Sequence, residues 1–208
     1  MLDITRLSTN PCLGMSLLLS LLAAKGLGAL IGSIILLAQP GPRFSDPQLV
    51  TIRDSLYVQT ALTGGFNKHL DQMLESGTTI AVGYSATLVS RDSSGSESRM
   101  KTIEFFHSAV YVPADDVFRT YQSEASGHGD STASVATLDA AKRVLTEVRV
   151  PLTLSKELEP QLSYACRLQA ALNTISLDAI EGKELDLNTF WNYRYPRGET
   201  PWTRPALQ

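Results

Sequence analysis

The side chains of this 208-residue chain that could do chemistry are few and scattered: three histidines, two cysteines and one adjacent carboxylate pair. A metal site needs three or four ligands converging, and covalent catalysis needs a nucleophile within reach of a base. His128-Gly129-Asp130, with Asp115, Asp116 or Glu124, is the grouping that could ligate a metal. It falls in Ser123–Ser134, whose Ser/Gly composition is that of a solvated loop. Asp115-Asp116 follows Pro113 and reads as a turn, because adjacent residues on a strand point to opposite sides. His69 falls on the polar side of a helical pattern. His107 sits mid-strand on an apolar face, the setting of a hydrogen-bonded, half-buried histidine. Gly64-Gly65 lacks the lysine and further glycines of a phosphate-cradling loop and reads as a turn. No Gly-x-Ser-x-Gly elbow, His-Glu-x-x-His helix or Walker loop occurs. The expectation is a non-enzyme with no catalytic, cofactor or metal residues.

Charge excludes one class of partner. Eighteen basic against 21 acidic residues leave a net charge of −3 with no basic run, so nucleic acid has no electrostatic footprint to follow. Cys12 and Cys166 flank a long apolar block and, if that block crosses a membrane, cannot pair. Cys166 then reads as a small buried apolar side chain.

The block itself, Leu13–Ala38, is rich in Leu and Ile and interrupted by Lys25. At about 1.5 Å per residue it exceeds the ~30 Å hydrocarbon core of a bilayer. A central lysine costs roughly 2.5–3.5 kcal/mol, and each Leu or Ile returns about 0.3–0.6, so insertion stays favourable. Two targeting readings compete. In the preferred one, residues 13–38 form an uncleaved signal-anchor helix behind a cytoplasmic tail, residues 1–12. In the other, Gly26–Ala38 is the core of a signal peptide cleaved near Ala38, although Leu36 suits the −3 position poorly. Gly28 and Gly32 form a small-xxx-small pair able to seat a second helix in the membrane.

Residues 39–49, opening Gln39-Pro40-Gly41-Pro42, read as a linker, and 50–208 as an exported domain. Its central feature is two alternating runs, Thr78–Val89 and Met100–Val112, joined by a loop carrying Ser93-Ser94-Gly95-Ser96. Ile80, Val82, Tyr84, Ala86 and Leu88 share one face; Ile103, Phe105, His107, Ala109 and Tyr111 share another. Val50–Leu62 reads as a first strand, Val117–Gln122 as a short one and Gln161–Leu172 as a last. Phe66–Ser76 has helical spacing with Gly77 placed to stop it, and Thr137 caps a helix running to about Glu147. The tail carries Phe190, Trp191, Tyr193, Tyr195 and Trp202. Such rings either close the core or form an exposed surface for a partner or the membrane interface.

The order of these pieces resembles a bacterial family of uncharacterised membrane-anchored envelope proteins, domain-of-unknown-function family 4390. The matching pieces are Leu56–Leu62 into Phe66–Gly77, Ile80–Val89 over a polar loop into Ile103–Tyr111, the 134–146 helix, the Leu162–Leu172 strand, and the closing Leu185-Asp186-Leu187-Asn188-Thr189-Phe190-Trp191. The resemblance implies an N-terminal membrane segment and a strand–helix–hairpin–helix–strand domain, and it brings no catalytic residues. The expected fold is therefore α+β: a mainly antiparallel sheet of about five strands with two packed helices, behind one N-terminal transmembrane helix. The expected role is a non-enzymatic accessory or interaction protein of the bacterial inner membrane, single-pass, with its domain in the periplasm and an envelope protein as partner. The alternative is a module binding a lipid or other apolar ligand.

Overall fold

The computed structural model describes residues 41–123, 130–176 and 183–204. The segment 13–38, with Gly28 and Gly32, lies outside them, as do Glu124 and His128. Among the described residues no helix is long and apolar enough to cross a membrane.

The fold is α+β, and every strand pairing is antiparallel. The expected hairpin is its centre: β3 (Ile80–Arg91) pairs with β4 (Glu97–Val112), Ile80 opposite Ala109 and Tyr84 opposite Phe105. β8 (Ser163–Leu172) flanks β3, and β5 (Val117–Gln122) flanks β4. The sheet is completed by β6 (Ser131–Val135) beyond β5 and β11 (Arg197–Glu199) beyond β8, giving the order β11-β8-β3-β4-β5-β6. Period-two alternation decides which face is covered. Ile80, Val82, Tyr84, Ala86 and Leu88 are buried with Ile103, Phe105, His107 and Ala109, and with Tyr164, Cys166, Leu168, Ala170 and Leu172. Burying a large apolar side chain of this kind contributes about 1.5–3 kcal/mol, so this face holds the fold together.

Two helices and a second sheet cover that face. Asn67 caps α1 (Lys68–Glu75), its Oδ1 accepting from the His69 and Leu70 N–H groups. Gly77, at φ 87°, lets Thr78 N–H return to Met73 O (3.0 Å) and close the helix. Thr137 caps α2 (Leu138–Thr146) as its sequence suggests, with Oγ1 accepting from Ala140 N–H. Leu70, Leu74, Ala141 and Leu145 are fully covered. The end of α2 is docked from the sheet. Tyr84 Oη donates to Leu145 O (2.6 Å) and Gln122 Nε2 to Val144 O (3.4 Å), so carbonyls that a helix end leaves without partners are satisfied by side chains.

The strand count differs from expectation: the described residues form eleven strands in three sheets, not about five in one. Val50–Leu62 is not one strand but a hairpin, β1 (Arg43–Ile52) and β2 (Ser55–Thr63). The turn carries no glycine or proline; Arg53 itself takes the left-handed conformation, φ 55°. β1 also occupies most of the expected linker. Its Pro47 is accommodated by a register shift between Ser45 and Gln48, the irregularity that admits proline to a strand. β7 (Glu147–Leu154), to which the sequence reading assigns no element, pairs with β2, giving the order β1-β2-β7. β6 was expected to be loop. β9 (Thr174–Ser176) and β10 (Glu184–Asp186) form a separate small ribbon. Phe44 ties the smaller sheet to the larger: a Cβ on Gly198 of β11 would stand 3.0 Å from the Phe44 Cβ.

Cys166 is enclosed in β8 as expected, and burial pushes its thiol up to about 12. Only the thiolate alkylates at useful rates. Peptide mapping after iodoacetamide treatment at pH 8 is therefore expected to find Cys166 unmodified in native protein and fully modified in urea. Rapid native labelling would mean that β8 opens.

Candidate functional site

The aromatic tail is the feature whose role the sequence leaves open between core and surface, and the structure divides it. Leu172 ends β8 opposite Val82 of β3, but β11 on the other side of β8 reaches only to Gln169, and a side chain takes the place of a strand there. Asn188, buried, accepts from Leu172 N–H through Oδ1 (2.8 Å) and donates from Nδ2 to Leu172 O (2.9 Å). The same Nδ2 reaches Asp186 Oδ1 (2.7 Å), and Asp186 in turn caps the 3-10 turn Leu187–Trp191 by accepting from Asn188 N–H. The turn is thus fixed to the sheet edge by one amide.

That anchoring drives Trp191 inward. Its ring is 3% exposed, and Nε1 donates to Gly65 O (2.7 Å), 126 residues away in the chain. A Cβ on Gly65 would stand 3.2 Å from Leu62 Cδ2 and 3.6 Å from the indole, so Gly64-Gly65 serves as a seat for tryptophan. Trp191 therefore belongs to the core. Phe190 packs at the margin of that core: its ring stacks 6.1 Å from His69, and its carbonyl accepts from Asn67 Nδ2 (3.4 Å). His69 is exposed on the polar side of its helix, as expected, and forms the outer plate of this stack.

Beyond Trp191 the chain turns sharply. Asn192 and Tyr193 both take left-handed backbone conformations, at φ 51° and 53°. A non-glycine residue there costs energy, most for a bulky side chain, and such positions persist only where surrounding bonds enforce them. Here Asn192 N–H donates to Thr189 O, Tyr193 N–H to Asn188 O and Arg194 N–H to Trp191 O, each at 2.9 Å. The turn presents Tyr193 56% exposed and Tyr195 42% exposed. Exposed tyrosines with few rotatable bonds are the side chains that lose little entropy when a surface is covered.

Trp202 is elsewhere, on the open face of the large sheet, with the Arg91 guanidinium 3.7 Å above its ring. Arg91 bridges Glu97 (2.6 Å), Glu97 bridges Arg167 (2.6 Å) and Arg167 reaches Glu199 (3.4 Å), a chain of alternating charge across neighbouring strands. The two arginines hold the Glu97 carboxyl below its usual range. Of the four residues expected to share one surface, Tyr193 faces solvent, Phe190 is at its edge, Trp191 lies beneath it and Trp202 is on a different face. Tyr195, whose only sequence signal was membership of the aromatic run, joins Tyr193.

The remaining candidates among the described residues are tied into the fold by their own contacts. Asp116, at φ 51°, accepts from Tyr111 Oη (2.6 Å), and Asp115 bridges Arg119 (2.7 Å), so the pair is the expected turn. His107 is buried beside the Tyr84 and Phe105 rings, at 5.3 and 5.7 Å, with Nδ1 lacking a partner. Burial pushes it down to about 4, against a smaller opposing pull from the Val144 and Leu145 backbone. No group of three or more metal-ligating side chains occurs among the described residues. Across known proteins, the family model described as Domain of unknown function (DUF4390) matches residues 39–197. No curated protein and no solved structure matches the chain.

Proposed function

We propose, for a chain that belongs to the DUF4390 family, a non-enzymatic role as a membrane-anchored accessory protein of the bacterial cell envelope. Segment 13–38 supplies the anchor in the inner membrane, and the domain from residue 41 onward acts in the periplasm. The observation that carries the reading is the strained turn presenting Tyr193 and Tyr195. The turn's backbone bonds hold these aromatic side chains out toward solvent at fixed positions, which supports a partner surface there.

The test is cross-linking of tagged full-length protein in cells, detergent extraction and mass spectrometry of what accompanies it. A discrete, stoichiometric membrane protein is expected, with capture reduced at least tenfold by the Tyr193→Ala/Tyr195→Ala double variant. Because both rings are exposed, that variant is expected to unfold in urea within ~0.5 kcal/mol of wild type. Undiminished capture by a folded double variant would sink this surface as the contact.

One observation favours a second reading, a module for a lipid or other apolar ligand. The open sheet face holds a shallow cleft of about 490 Å³, floored by Gly83 and bordered by Ala171, Ser123 and Phe106, the last 42% exposed. Native mass spectrometry separates the readings: a co-purifying small molecule supports the second, and a clean apo mass supports the first.

A further inference from the structure

We infer that the β6 edge of the large sheet pairs with β6 of a second copy of this chain, joining two sheets across a two-fold axis at Ala133. Sheet edges are hazardous because their unpaired N–H and C=O groups invite another strand, and proteins blunt them with charge, proline, bulges or brevity. The other edges of the two larger sheets are blunted. β1 carries Pro47, a register shift and Asp46 at φ 42°; β7 carries Pro151, Glu147 and Arg149; β11 is three residues long and carries Arg197 and Glu199. β6 is short, but Ser131-Thr132-Ala133-Ser134-Val135 has no charge or proline, and it pairs with β5 in unbroken register. Its first four residues are exposed.

The geometry also selects the register. Thr120 Oγ1 on β5 donates to Ala133 O (3.2 Å), so the Ala133 carbonyl points into the sheet. Backbone groups alternate along a strand, so those of Thr132 and Ser134 point to the open side. An antiparallel copy centred on Ala133 sets Thr132 against Ser134 of its mate on both sides of the axis. Each N–H then meets a C=O. Ala133 faces Ala133 as a non-hydrogen-bonded pair, Cα atoms about 4.5 Å apart, with methyl groups that do not clash. No like charges oppose, because the strand has none. A second copy is favoured over a foreign strand for this reason: the edge is complementary to itself without any change. This contact is separate from the Tyr193 surface and stands or falls without it.

The pairing is tested in the full-length chain carrying Cys12→Ser, with Ala133→Cys or Ser131→Cys added, oxidised in membranes and resolved without reductant. Across the proposed axis Ala133→Cys lies within disulfide reach of itself, whereas Ser131→Cys is carried about 14 Å from its copy. Ala133→Cys is expected to give disulfide-linked dimer at least tenfold above Ser131→Cys. Adding Ser134→Pro, which removes an outward N–H, is expected to reduce it to that background. Equal yields from the two cysteines, insensitivity to Ser134→Pro, or linkage to a different protein would each overturn the inference.

Discussion

Trp191→Ala is expected to cost about 3–5 kcal/mol of unfolding free energy, a large share of the stability of a domain this size. The indole is enclosed, and its removal leaves both a cavity against Leu62 and a buried Gly65 carbonyl without its donor. Trp191→Phe separates the two contributions: it restores most of the volume but not the N–H, and is expected to cost about 1–2 kcal/mol. Urea titrations followed by circular dichroism measure both. A loss under about 1 kcal/mol for Trp191→Ala would mean that the tail docks without its ring. The alanine variant also tests the coupling of core to surface. The Tyr193 turn hangs from Trp191 O through Arg194 N–H, so weakened partner capture is expected even while the sheet stays folded.

Lowering the pH from 7 to 5 is expected to remove about 2 kcal/mol of stability through His107 alone. Its folded value is about 4 against 6.5 when unfolded, so the unfolded chain binds a proton first. The stabilisation is full above pH 6.5 and is lost as pH falls through 6.5 toward 4. A second proton would land on a buried ring whose Nδ1 has no acceptor. Asp92 and Glu97 are held below their usual ranges and lose their contributions at lower pH, which leaves pH 5–6.5 to the histidine. Urea titrations at pH 7, 6 and 5 on wild type and His107→Gln provide the measurement. The variant is expected to show a flat response where wild type falls; equal slopes would place the pH dependence elsewhere.

What could be read from the residues followed the strength of their patterning. β3 and β4 alternate β-branched and aromatic residues over a long run, and each face fell as the alternation requires. The second helix began at Thr137, the cap its sequence marks, and the first stopped at Gly77, although it started at Lys68 behind an Asn67 cap and not at Phe66. β1 and β2 fused in the reading because Arg53-Asp54 turns the chain without a glycine or proline to punctuate it. β6 was hidden because serine, threonine and alanine at an exposed edge have nothing to alternate. β7 carries Val148, Val150 and Leu152 in period two, but Pro151 breaks the signature, and only the pairing of Tyr57 with Pro151 at a register shift shows how it is tolerated. The aromatic tail was legible as a group but not in its division. Whether a ring points in or out there depends on the Asn188 amide and on a glycine 126 residues away, which no local pattern carries.

That separation also governs when the fold can close. Trp191 meets Gly65, Tyr164 exchanges bonds with Thr203, and Cys166 N–H donates to Thr200 Oγ1 (2.9 Å). A nascent chain that has emerged through β8 therefore holds a sheet with one flank unsealed and a tryptophan seat still vacant. Sealing waits for the stretch from Trp191 to Thr203, and closure over such sequence distances is slow, on the order of milliseconds to seconds. The stretch from Trp191 to Thr203 thus acts as the timer of the domain's assembly, and until it arrives the sheet stays unlocked on that flank.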